Sequence, residues 1–573
     1  MAQSPDLLSK INHCEQALDQ ISNKIEARYD VKKEDLLFTP KEKIPVTIMG
    51  CSGDCVIPEI KGPVVDVIKK YDVTIVGGGI GGMTTALYLA ESGYNVMLLE
   101  RSGKTGGLAS GTKLPNGISS GDGAAYISAP SADLNEIFKH LGLDDYTKLE
   151  IPGHIDSLMN ERGFFLGLWD SETLKKLPSS FELFKNELVN ARSENLIPIQ
   201  PIEKAENLEL DDYWGDEFIR KMPERIAKRE DPESKRILKR FLEDKSLDPK
   251  DPMRDVVHTL DLFSRSALGD ETSRINALAL LQFYISEIEP RFTSDLGTGV
   301  LAENLKEKLS KKANVTIVTN APVGKIINKE DDVDVFYVEN GHTYRVRSQK
   351  AVLSSSLKLA PKMIENFSKL APRQSEILEK METSNYFVIK IHLIGHPVFL
   401  RLTYDLWVRS KDYTDQDATD YISGRYMDPK INGYEGMKDP ESTLPDDFGI
   451  VTIYKAISPK YNGAFVSKDE ILKMTEETID KFRTDMEPLI EKYGGPPLQI
   501  GLVETHQWPM SINIVKKGFF KNEAPLLTQP VGHIFFAGLG VGLPSVEESL
   551  FRGKKAADDI IQEDSRLDAR GQN

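Results

Sequence analysis

At 573 residues the chain is too long for one compact core, and about 150 residues per domain points to about four units, fewer if domains interleave. A composition 40% apolar and 28% charged, with a net charge of -16 spread along the chain, excludes a fibrous or disordered protein and argues against nucleic acid as a partner. The three cysteines, Cys14, Cys51 and Cys55, exclude a disulfide framework and suit a reducing compartment; Cys51 and Cys55 lack the two-residue gap of common zinc and redox motifs, so no metal site is nominated.

The chain opens with Leu7, Ile11, Cys14, Leu18, Ile21 and Ile25 spaced four and three apart, which predicts a helix with Ser4 as cap and Pro5 as first residue. Asp30 to Lys70, carrying Pro40, Pro45, Pro58 and Pro63, reads as an irregular connector. From Tyr71 the pattern is strand (Val73, Ile75, Val76), glycine turn, helix (Met83 to Ser92) and second strand (Val96 to Leu99). Residues 150–290 carry charged helical patterns with aromatic and leucine anchors. Strand signals return at Val315 to Val318, Val323 to Ile327, Val333 to Val338, Tyr344 to Val346 and Ala351 to Leu353, with Asn340-Gly341 as a hairpin turn. An alternating run, Phe387 to Leu393, predicts a strand of a second sheet. Ile534 to Ala537 and then Val546 to about Ile561 predict a closing strand and helix. No signal-like opening and no run of about 18 apolar residues occurs, so the expected place is the cytoplasm without a membrane span, and a peripheral membrane contact stays open.

The chemistry begins at Gly77-Gly78-Gly79-Ile80-Gly81-Gly82, a G-x-G-x-x-G directly after a strand and opening a helix. Gly77 permits the tight turn, Gly79 lets the backbone approach a pyrophosphate, and Gly82 lets helix and strand pack closely. Phosphates would sit at the helix N-terminus, where free amides and the dipole favour negative charge. Glu100 ends the second strand, where a carboxylate can accept the hydroxyls of an adenosine ribose and would repel a 2'-phosphate. This predicts a dinucleotide, NAD or FAD over NADP.

Residues Glu100 to Leu108, with Arg101 and the paired glycines Gly106 and Gly107, followed by Gly121-Asp122-Gly123-Ala124, resemble the flavin amine oxidase superfamily, which includes phytoene desaturases and protoporphyrinogen oxidases. Two later blocks carry the same resemblance. Leu296-Gly297-Thr298-Gly299-Val300 leads towards Val323, and Ile534 to Gly538 continues through Leu539 to Ser545, Val546 and Gly553. The resemblance implies an α/β fold in which a discontinuous Rossmann-type FAD-binding domain (71–150, 291–365, 501–573) interleaves with a mixed α+β substrate domain (151–290, 366–500), after an N-terminal extension (1–70). It implies noncovalent FAD, because no cysteine follows Cys55, held by the three glycine-rich blocks, with Val323 at the adenine and the final helix over the flavin.

The sequence departs from the amine-oxidising pattern at Leu108, Leu539 and Ser545, where relatives often carry arginine, an acid and an aromatic residue. Ser545 therefore favours removal of a hydride from a C–H bond of another substrate type, by a desaturase, dehydrogenase or flavin-dependent isomerase, over amine or amino-acid oxidation yielding peroxide. Trp508-Pro509 resembles the family's segment near the substrate cavity, and Lys358 and Lys362 are the two candidates for its flavin-facing lysine. The electron acceptor, oxygen or a quinone, and a homodimer stay open. A noncatalytic protein of the GDP-dissociation-inhibitor type is the alternative from a different class.

Overall fold

The computed structural model describes residues 46–50, 57–113, 119–143, 150–151, 156–294, 297–394, 403–409, 420–423, 448–457, 467–493, 498–538 and 540–571. The helix expected near the start, Cys51 and Cys55, Leu296 and Leu539 lie outside them.

Two large sheets organise the molecule. The first has the order Val315–Val318, Val96–Leu99, Tyr71–Val76, His342–Leu353, Val333–Glu339 and Val323–Asn328, and Ile534–Phe536 adds to the end of His342–Leu353. Its central strands are parallel and covered on both faces, which explains why Val96–Leu99 and Ala351 to Leu353 are continuous apolar runs and not alternating ones. The signals at Tyr344 and Ala351 belong to one strand, His342–Leu353: its first half makes the hairpin with Val333–Glu339, and its second half lies parallel to Tyr71–Val76. On this sheet the Ile80–Glu91 helix packs against the closing helix, Val546–Gly571, close enough that Thr85 Oγ1 donates to Gly553 O at 2.9 Å. Three segments hundreds of residues apart therefore make one layer.

The second sheet has the order Val46–Gly50, Gln499–Asn513, Thr383–Ile394, Phe448–Ile457, Asp420–Ser423, Asp405–Val408, Ser157–Asn160 and Gly163–Leu166. Alternation along Thr383–Ile394 sends Ile389, Ile391 and Leu393 against Ile479, Phe482 and Met486 of the Lys468–Tyr493 helix. The opposite face carries Tyr386 and Val388 beside Ile422 and Tyr454. The helices Ser179–Ser193, Gly215–Ile226, Pro232–Glu243, Arg254–Leu268 and Ala277–Tyr284 fill the region expected to be mostly helical, and within that region two of the second sheet's strands, Ser157–Asn160 and Gly163–Leu166, precede them.

The connector is more ordered than its prolines suggest. Val46–Gly50 pairs parallel with Gln499–Asn513, and Val64–Asp66 pairs parallel with Thr343 to Arg345. Tyr71–Val76 begins its pairing only at Ser348, so the start of His342–Leu353 has an open edge that an extended segment can fill. Among the described residues no helix is long and apolar enough to cross a membrane.

Candidate active site

A cavity of about 350 Å³ runs from the glycine turn to the inner face of the second sheet. At one end, Gly77 turns at φ +110°, and the helix starts at Ile80 with Gly79 as its N-cap and no side chain capping it. The first-turn amides are therefore left for a ligand. Gly77, Gly79, Ile80 and Gly81 line the cavity. A Cβ added at Gly79 would meet no protein atom within 4 Å, so this is a cradle the side chain would fill, whereas one at Gly82 would lie 2.0 Å from Gly77 O. Gly82 serves the turn's own packing, and Gly79 faces open space. The donor set and the open cradle fit a dinucleotide pyrophosphate.

Glu100 and Arg101 also line the cavity. Glu100 Oε2 accepts from Gly78 N at 2.7 Å, and Oε1 accepts from Ser102 N at 2.7 Å and Ser102 Oγ at 2.8 Å. A carboxylate has about four acceptor sites, so Oε2 keeps room for one further donor such as a ribose hydroxyl. The adjoining wall is Ala321, Pro322 and Val323, and Ile57 and Pro58 of the N-terminal segment stand beside it. Sequence reasoning did not nominate Ile57 and Pro58; their signal was only an apolar pair inside a proline-punctuated stretch.

Gly106 and Gly107 bring a second turn onto the first: Gly106 N donates to Gly78 O at 2.8 Å. Leu108 O accepts from Ala124 N at 2.7 Å, which fixes Gly123 and Ala124 as the next section of wall. Trp508 lines the cavity and its Nε1 donates to Asp122 O at 2.7 Å. At the far side of the turn, Gly538, Ser545 and Val546 line the cavity. Ser545 Oγ accepts from Glu548 N at 3.1 Å and donates to Gln200 Oε1 at 2.5 Å, so it caps the closing helix. Glu547 Oε1 accepts from Ser128 N at 2.5 Å, and Glu548 pairs with Arg552 at 2.9 Å. Burial raises both carboxyls above the ordinary value.

The two nominated lysines stand elsewhere. Lys358 Nζ donates to the carbonyls of Leu378, Glu379 and Met381 at 2.9, 2.9 and 2.6 Å, closing the end of the Pro372–Lys380 helix. Lys362 is exposed, and neither lines the cavity. The lysine brought behind the wall is Lys390, which sequence reasoning missed. It is fully buried, 2.6 Å from Asp122 Oδ1 and 2.8 Å from Ser120 Oγ. Its signal was a lysine inside the apolar alternation of Phe387 to Leu393. Burial alone would raise the Asp122 carboxyl, but Lys390, His506 and Lys104 hold it well below the usual carboxylate range. His506 is pushed down to about 4 by burial and by Lys390, so it is neutral at pH 7.

The remaining wall is aromatic and apolar, with Phe263, Phe283, Tyr386, Ile422 and Tyr454, and includes Asp405 and Asp420. Behind it Arg291 pairs with Asp156 at 2.7 Å and Glu287 at 2.5 Å, all of them buried, and Tyr126 Oη donates to Glu287.

The model of a family described as "Flavin containing amine oxidoreductase" matches residues 80–561. Among curated relatives, the probable flavin-containing monoamine oxidase A of Dictyostelium discoideum is 24% identical over 340 residues, which is 58% of this chain and 66% of the relative. Amine oxidase [flavin-containing] B of Bos taurus is 32% identical over 109 residues, 18% of this chain and 21% of the relative. The matched stretches thus span less than two thirds of these relatives' own length. Among solved structures, the CLA-producing fatty acid isomerase from P. acnes superposes with TM-score 0.57 at 16% identity, covering 87% of this chain and 99% of that one. Cyclohexylamine oxidase from Brevibacterium oxydans IH-35A superposes with TM-score 0.55 at 16% identity, covering 86% and 99%. These likenesses show the fold.

Proposed function

The chain belongs to the flavin containing amine oxidoreductase family, which indicates a flavin cofactor, and from that premise we propose that it binds FAD noncovalently and oxidises a small-molecule substrate by removing a hydride from a C–H bond. One observation carries the reading: a single cavity joins the uncapped helix start, the Gly79 cradle and Glu100 to the aromatic wall of the second sheet. When bound, the cofactor supplies hydride acceptance. The chain's own residues orient and exclude water. The amides of Ile80 and Gly81 meet the diphosphate, Glu100 Oε2 receives a ribose hydroxyl, and the Gly106–Gly107 and Asp122–Ala124 turns set the depth of the groove. Trp508, Tyr386 and Tyr454 shape a low-dielectric space in which a C–H bond can be held at short range.

Desaturation, dehydrogenation or isomerisation is the leading reaction type, because Ser545 is engaged as a helix cap and presents no aromatic wall at that position. Amine oxidation is the second reading, favoured by the match to the relative named as a probable monoamine oxidase. Visible absorbance of the purified protein tests the cofactor, and anaerobic addition of candidate substrates tests the chemistry. A flavin spectrum that bleaches is expected. Protein that stays colourless after incubation with FAD overturns the reading in favour of a binding protein, and peroxide released from an amine in air reverses the order of the two reaction types.

A further inference from the structure

One strand of the second sheet, Gln499–Asn513, breaks its alternation where it borders the cavity. Trp508, Pro509, Met510, Ser511 and Ile512 are consecutive and all line it, although a regular strand turns only every second side chain to one face. Proline has no N–H for the ladder and inside sheets is confined to edges and bulges, so Pro509 calls for a bulge here. Ser384 pairs with Ile512 and Tyr386 with Trp508, which leaves Asn385 alone against Pro509, Met510 and Ser511. At the crest of this bulge Met510 has φ +50°.

The residue at that crest departs from the chain's own habit. Among the described residues five that are not glycine have positive φ, and the other four, Asn195, Asn320, Asn340 and Asn366, are asparagines. Asparagine tolerates left-handed backbone because its short amide bonds locally, whereas a long side chain there is strained. None of the four asparagines lines the cavity, and Met510 does. Strain of this kind persists only where the surroundings impose it, and it gathers at functional sites. Here Asn385 helps to impose it: Asn385 is 1% exposed, and its Oδ1 accepts from Met510 N at 3.1 Å. Bulges beside active sites commonly re-aim a side chain.

Beside Met510 the wall is fixed. Trp508 is tied through its indole to Asp122 O at 2.7 Å, and Tyr386, opposite Trp508, packs against Tyr454 with ring centroids 5.9 Å apart. Methionine is unbranched, flexible and polarisable, so it conforms to irregular apolar surfaces. We propose that Met510 is a specificity-determining residue of the cavity and Asn385 its positioning residue. The bulge delivers the thioether to the wall beside Trp508, where it closes on the apolar body of the substrate and limits the length that fits. The inference deepens the reading of the cavity as a flavin enzyme's substrate site and rests on it.

Calorimetric titration of the FAD-loaded protein with straight-chain alcohols from butan-1-ol to decan-1-ol tests it, beside a thermal melt. In the natural protein affinity is expected to rise about fourfold per added carbon up to a limiting length. Met510→Gly and Met510→Asn, both at ease in left-handed backbone, are expected to move that limit to chains longer by about one or two carbons. Their melting temperatures should stay within about 2 °C of the natural value, because relief of strain offsets the lost side chain. Asn385→Ala is expected to move the limit as well, and Asn385→Ala/Met510→Gly to bind as Met510→Gly does alone. An unchanged limit in the Met510 variants, or a natural protein that binds none of the alcohols, overturns the proposal. An unchanged limit in Asn385→Ala, or shifts that add in the double variant, overturns the role of Asn385. Should Asn385→Ala fail to fold, the two Met510 variants decide. A preparation that takes up no FAD overturns the flavin reading, and the alcohol series on that same preparation still decides the role of Met510.

Discussion

Two glycines three residues apart do different work, and their substitutions separate cofactor binding from folding. Gly79 has φ -68° and open space where a side chain would go, so Gly79→Ala is expected to change stability by about 1 kcal/mol or less while weakening FAD binding about tenfold or more. Gly82→Ala would drive a Cβ to 2.0 Å from Gly77 O and is expected to cost about 3 kcal/mol or more. A thermal melt read beside the ratio of flavin to protein absorbance checks both, and an equal loss of stability in the two variants would contradict the assignment. At Glu287 the prediction concerns pH. Burial, opposed by Arg291 and aided by Asp156, pushes its carboxyl up from 4.5 to about 8. Between those values the unfolded chain sheds a proton that the folded protein keeps. This contribution is full below the unfolded value and is lost as pH rises towards 8. Melting temperature measured from pH 5 to 8 should therefore fall less steeply in Glu287→Gln than in the natural protein; parallel slopes would show that the group titrates ordinarily.

At the scale of elements, the paired strands Thr383–Ile394 and Gln499–Asn513 carry a charged row on the face that continues from the cavity. Lys390 stands opposite Glu504, and His392 Nε2 is 2.9 Å from Glu504 Oε2. Lys390 and Asp122 are both fully buried, so Lys390→Met strands a carboxylate and is expected to cost about 3 kcal/mol, with part regained in the double variant Lys390→Met/Asp122→Asn. Asp122 is held below its ordinary 3.8, so its stabilisation is present above that value and lost as pH falls beneath it. In Lys390→Met acid unfolding should begin at higher pH, as circular dichroism would show. This element also marks where the sequence is readable. The strand, turn, helix and strand from Tyr71 to Glu100 were legible because the chemistry is local: period, glycine spacing and acid all lie within one supersecondary unit. Lys390 was not, because its partner lies far away in the chain and a lone lysine in a strand has no periodic signature. Asp405 and Asp420 were invisible for the same reason: only the pairing of two strands makes them neighbours. Lys358 was nominated by resemblance, yet its ammonium is spent on helix-end carbonyls, a role set by where the Pro372–Lys380 helix happens to stop.

Across the whole molecule, the N-terminal segment ties together what the two sheets build separately. Val46–Gly50 extends the second sheet and Val64–Asp66 extends the first, and Ile57 and Pro58 line the same cavity as Ala321, Pro322 and Val323. Its seat is tight: a Cβ on Gly324 would lie 2.4 Å from Pro58 O and 2.6 Å from Ile60 Cδ1. It is pinned further along by Thr343 Oγ1 donating to Lys61 O at 2.9 Å and by Arg345 pairing with Asp66 at 2.6 and 2.9 Å. The Arg345 pair is exposed and contributes little alone, so the close approach at Gly324 is the contact to break. Gly324→Val would push the segment outward without substituting any residue that lines the cavity, and so remove one wall of the cavity at its Val323 end. The variant is expected to keep its circular dichroism spectrum and bind FAD about tenfold more weakly, read as flavin lost on gel filtration and as a raised dissociation constant by flavin fluorescence. Unchanged retention would mean that this segment only covers the sheet edges; loss of FAD with an intact fold would make it part of the cofactor site.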